Sequence, residues 1–88
     1  MLGADKKELG WPKCGEIDIM EFGHKDGIVA GTQEYLFNGA CHWGEGWNGG
    51  SYPNKAMHLT NSYSLQNDFH LYTMFWTNDS IKMYLDLD

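Results

Sequence analysis

An all-β fold is predicted, made of short strands that belong between the layers of a sandwich. Three observations carry it. Apolar and other residues alternate with period two over residues 16–22, 68–76 and 81–88, the spacing of strands rather than of helices. The chain holds four Trp, five Tyr, four Phe and eleven Gly against two Pro, a mixture suited to strands joined by irregular loops. No heptad, internal repeat or low-complexity tract is present, and few or no helices are expected.

The elements follow in order. "MLGADKKELG" passes from two apolar residues into a charged loop. In "WPKCG", Pro12 disfavours the helical region for Trp11, so the chain turns towards a strand. "EIDIMEF", residues 16–22, is that strand; as a helix it would scatter Ile17, Ile19, Met20 and Phe22 too widely for one apolar stripe. "GHKDG" is a turn, and "IVAGTQEYLF", residues 28–37, is a second strand that tolerates Gly31. Residues 38–55 form a long irregular loop with five glycines and the tryptophans 43 and 47. Loops of that length tend to be functional or disordered, and the tryptophans speak against disorder.

"AMHLTNSYSLQN" reads as a short strand and a turn. "DFHLYTMFW", residues 68–76, places Phe69, Leu71, Thr73 and Phe75 on one face and His70, Tyr72, Met74 and Trp76 on the other. After the turn "TNDS", residues 81–88 alternate Ile81, Met83, Leu85 and Leu87 with Lys82, Tyr84, Asp86 and Asp88, closing a hairpin. Strands apolar on both faces, or with one wet aromatic face, sit between layers or beneath a ligand.

Eighty-eight residues make one domain at most. The formal charge of −6 comes without a basic stripe, which argues against nucleic acid and favours a neutral, polyhydroxylated partner. No apolar run approaches membrane-spanning length and the first residues do not read as a leader; taken as a complete gene product, the chain would be cytoplasmic. Cys14 and Cys41 allow one disulfide or two free thiols. The histidines lack an HExxH spacing and the cysteines a CxxC, so zinc is not expected.

The chemistry concentrates in "CGEIDIMEF". In a regular strand Glu16 and Asp18 share a face and Glu21 points away. One surplus residue, Met20, would make a β-bulge and return Glu21 to the first face. Carboxylates so gathered fit retaining glycoside hydrolysis, for which two carboxyls stand about 5–5.5 Å apart; the inverting spacing of about 6.5–9.5 Å is less natural over one short strand. Asp18, between two glutamates, would share a proton and keep one member acidic. A solvated sheet face and a calcium site are the competing readings of the same spacing. The aromatics favour a sugar, whose ring faces stack on them. Trp11, Trp43, Trp47 and Trp76 are the platform candidates, each equally open to plain packing, and His42 and His70 are polar candidates.

"WPKCGEIDIMEF" resembles the motif of glycoside hydrolase family 16, in its bulged, methionine-containing branch of laminarinase-like endo-β-1,3-glucanases. The resemblance implies a jelly-roll sandwich similar to concanavalin A, of which these residues are the central portion. It implies Glu16 as nucleophile, Asp18 as assisting carboxylate and Glu21 as general acid/base. Trp11 matches a tryptophan near the cleaved sugar. "GACHWG" points to His42 and Trp43 as cleft residues, and "DFHLYTMFWTNDSIKMYLD" gives His70 a supporting role. Phe75 and Leu87 depart from the family, which often has Glu and Gly there.

The implied substrate is a β-linked polysaccharide, most simply β-1,3-glucan, with no cofactor, nucleic acid or membrane partner; a structural calcium ion is compatible with the full domain. Galactans, transglycosylation and non-catalytic carbohydrate binding are the alternatives. A family domain is roughly two to three times longer, so Met1 is expected to be internal. On that expectation the parent enzyme is secreted or periplasmic, and the 88 residues alone are poorly folded and inactive.

Overall fold

The computed structural model describes residues 1–87. In chain order it contains helix α1 (Lys6–Leu9), strand β1 (Glu16–Glu21), helix α2 (Lys25–Ala30), β2 (Leu36–His42), a 3-10 turn at Asn48–Gly50, β3 (Asn54–Thr60), β4 (Tyr72–Trp76) and β5 (Ile81–Leu85). β1, β2 and β3 form one antiparallel sheet in that order, and β4 and β5 form a second. Residues at the start of the chain flank the free side of β1: Leu2 bridges Glu16, and the Ile17 amide donates to the Met1 carbonyl at 2.8 Å.

The predominantly β architecture agrees with the sequence, and the two sheets face each other as sandwich layers do. Phe37, Cys41, Met57 and Leu59 of the first sheet meet Ile81, Met83 and Leu85 of β5 around a shared apolar hollow. Phe37 also stands edge-on to Tyr72 at 5.3 Å, a favoured aromatic geometry. Leu36, Phe37, Ala40 and Leu65 are the buried apolar residues. β3 is exposed along its whole length, as are Phe75 and Trp76, so apolar faces and a strand edge stand in solvent. The radius of gyration is 14.7 Å, against about 12 Å for a compact domain of this length.

Several boundaries differ from the expectation: helix α1 stands in the expected opening loop, the strand predicted over 81–88 ends at Leu85, and three others move. The strand predicted over 28–37 divides, because α2 occupies Lys25–Ala30 and β2 starts at Leu36. Local capping outweighs the β-branched pair there: His24 accepts the Asp26 amide, and Gly31, left-handed at φ 71°, returns its N–H to Gly27 and Ile28. Ile28 and Val29 are exposed, so no packing calls on their strand preference. The loop predicted over 38–55 shrinks to 43–53, since "NGACH" is the second half of β2, paired on both sides, and Asn54 opens β3. Gly39 belongs there because a Cβ would collide with Met83 of the second sheet and crowd the Asp18 carbonyl. The strand predicted from residue 68 begins only at Tyr72. Before it, Leu71 is tied to Asp86, which accepts from the Leu71 amide through its carboxylate at 2.8 Å. The hairpin turn is as expected, closed by Thr77 N–H to the Ser80 carbonyl.

Candidate active site

The register of β1 on β2 decides where the acids point. Asp18 pairs with Ala40 and Glu21 with Asn38. Two residues, Ile19 and Met20, therefore oppose the single Gly39, which defines a β-bulge. Glu16, Asp18 and Glu21 thus lie on one face, beside His42, Ala40 and Asn38 respectively. In a regular strand without the bulge, Glu21 would sit on the apolar face that packs against the second sheet.

Each acid has a different holder. The Trp11 indole N–H donates to Glu16 Oε2 at 2.8 Å. The Asn38 amide donates to Glu21 Oε2 at 2.6 Å. Asp18 has His42 Nε2 3.4 Å from its Oδ2 and the Met1 ammonium 4.0 Å from its Oδ1. The other nitrogen of His42 lies 3.1 Å from the Tyr52 hydroxyl, which fixes the ring plane. Asp18 is only 12% exposed. Burial, then the charges of Glu16 and Glu21 and a hydrogen bond with Glu16, push its pKa up, against a smaller downward pull from His42.

Aromatic rings gather on the Glu16 side. Trp11 lies 4.8 Å from Tyr52, 5.6 Å from Trp47 and 5.8 Å from His42 between ring centroids. Trp47 is half exposed and offers a ring face to solvent beside the acids, as sugar stacking requires. Glu16, Asp18 and His42 are also the metal-ligand-type set whose donor atoms converge among the described residues, all within 4.8 Å of one another. Glu16 and His42 each already hold a protein partner there, Trp11 and Tyr52.

Glu16, Asp18, Glu21, Trp11, Trp47 and His42 come together; Trp43, Trp76 and His70 do not. Trp43, just past the end of β2, lines a hollow with Ile17, Cys41, His42, Trp76 and Ile81 and takes no part in the ring cluster around Trp11. His70 belongs to the second sheet, where Nδ1 meets Asp86 Oδ2 at 2.9 Å and Tyr63 stacks on the ring. Its role is to join the start of β4 to the end of β5. Cys14 and Cys41 are free thiols. Asn38 and Tyr52 were not foreseen. A turn-like "NG" hid the first, and only contact across the sheet reveals the second.

The model of the family described as "Glycosyl hydrolases family 16" matches residues 3–88. Glucan endo-1,3-beta-glucosidase A1 of Niallia circulans is 35% identical over 98% of this chain and 12% of its own length. A beta-1,3-glucan-binding protein of Penaeus monodon is 35% identical over 86% of this chain and 21% of its own. Among solved structures, a Bacteroides ovatus family 16 protein of a mixed-linkage glucan locus, in complex with a G4G4G3G product, superposes with a TM-score of 0.85. It is 31% identical, over 97% of this chain and 35% of its own. The chain therefore spans about an eighth to a third of the proteins it matches.

Proposed function

This chain belongs to glycosyl hydrolase family 16, and from that premise we propose that it carries the catalytic strand of a retaining endo-β-glucanase acting on β-1,3-glucan. The observation that carries the reading is the bulge at Ile19–Met20, which brings three acids to one face with separate holders for the outer two. Glu16 is the nucleophile: the indole bond engages Oε2 and orients the carboxylate, leaving Oε1 to attack the anomeric carbon. Glu21, oriented by Asn38, protonates the leaving glycosidic oxygen. It then takes a proton from the water that hydrolyses the glycosyl-enzyme. Asp18, whose pKa is pushed up by burial and by the charges of Glu16 and Glu21, stands between the two glutamates as the assisting carboxylate, its charge coupled to theirs.

The sheets described here fit a jelly-roll sandwich in the whole domain, with the acidic face as the floor of its cleft. Polymeric glucan lies outside the cytoplasm, which fits a secreted or periplasmic protein. Glu16→Gln in the full-length protein tests the mechanism by reducing-sugar release from laminarin. Turnover falls by more than about a thousandfold while the fold is kept; retained activity sinks the assignment. The Penaeus monodon relative is named for glucan binding, so the second reading is a non-catalytic glucan-binding module. Laminarin bound but never cleaved by the wild-type protein would favour it.

A further inference from the structure

The acidic face continues past the catalytic strand into a feature that the mechanism does not use. Across the sheet, Glu21 pairs with Asn38 and Asn38 with His58, so these three side chains form one row on the same face. His24, just before α2, closes the row: its ring centroid lies 4.2 Å from that of His58, at 71°. Two strand spacings put His58 about 10 Å from Glu21, beyond the sugar being cleaved.

The pair is built rather than incidental. His24 Nδ1 accepts the Asp26 amide at 3.1 Å, with the Asp26 carboxylate 3.7 Å away. In the neutral ring that bond leaves the proton on Nε2, which is then a donor. Asn38, between Glu21 and His58, is only 7% exposed and fixed by Glu21. The parallel row, Glu16 with His42 and Asn54, bounds the opposite side, and between them the row from Asp18 holds only Ala40 and Ala56. A shallow floor with polar, ring-bearing walls on either side fits a pyranose ring with equatorial hydroxyls.

We propose that His24 and His58 form a sugar-binding wall for a glucan residue adjoining the cleaved bond, making the protein selective for longer chains. The inference deepens the hydrolase reading and rests on it for the identity of the ligand. Binding of laminari-oligosaccharides of increasing length, measured by calorimetry, tests it in the full-length Glu16→Gln protein, so that no turnover is needed. Adding His58→Ala weakens the longest oligosaccharides about five- to tenfold, the size of one lost hydrogen bond. The loss is smallest for the shortest ligand and grows with length. Lys55→Ala, on the other face of β3, is the control and changes none of them. An equal loss at every length, no loss, or no glucan binding at all overturns the wall. Length-dependent binding in a wild-type protein that never cleaves laminarin upholds the wall and overturns the hydrolase instead.

Discussion

Replacing Asp18 by Asn is expected to make the protein more stable at neutral pH and less active, and the size follows from the acid spacing. Donor atoms of Glu16, Asp18 and His42 lie within 4.8 Å of one another. At that limit two like charges repel by about 0.9 kcal/mol in water and about 3.5 kcal/mol at an effective dielectric of about 20. His42 offsets part of this on the same carboxylate, so a gain of about 1 kcal/mol is the working value. The sign with pH is fixed by the upward shift of Asp18 from its ordinary 3.8. Below the ordinary range, Asp18 is protonated in folded and unfolded chains alike, and Asn gains nothing. As pH rises through the raised folded value, the wild type loses stability relative to the variant, and the advantage then levels off.

Urea unfolding of both full-length proteins, between about pH 4 and pH 8, reads the difference. Laminarin turnover in parallel should fall about tenfold to a hundredfold, because Glu16 loses the carboxylate that assists it. An advantage that does not grow with pH, or a variant less stable at pH 7 than at pH 4 relative to wild type, would refute the reasoning.

Two further outcomes are expected. Trp11→Phe keeps the ring but removes the donor to Glu16, worth about 1.5–3 kcal/mol for a bond to a charged group; steady-state kinetics should show kcat down about ten- to a hundredfold with KM little changed, and an unaltered kcat would remove Trp11 from the mechanism. Gly39→Val forces a side chain against Met83 and to within 3.3 Å of the Asp18 carbonyl. It should destabilise by about 1–3 kcal/mol, seen as a lowered Tm, and an unchanged melt would mean that the sheets do not meet there.

Much of the catalytic strand was legible because its information is local. An alternation that fails by one residue between Asp18 and Glu21 can be restored by one bulge, and the register contains it. Tyr52 was illegible for the opposite reason. It lies in a glycine-rich segment with no periodicity, and its meaning comes from contact with His42 and Trp11. Residues 28–31 misled because Ile28 and Val29 favour strands, while the flanking caps at His24 and Gly31 favour a helical turn, and no packing arbitrated.

By itself the sequence determined the strand class, the bulge and the identity of the three acids. Each of these depends on backbone periodicity and on residues within a few positions of one another. The tertiary structure alone decided which aromatics and histidines share the acids' face. His42 and Trp43 are neighbours in the chain, yet the His42 ring meets Asp18 and Tyr52 while Trp43 lines a hollow with Trp76 and Ile81, and His70 is engaged by Asp86 beside the other sheet. Those partners lie 10 or more residues apart in the chain, and a single-residue change of register exchanges the cleft for the core.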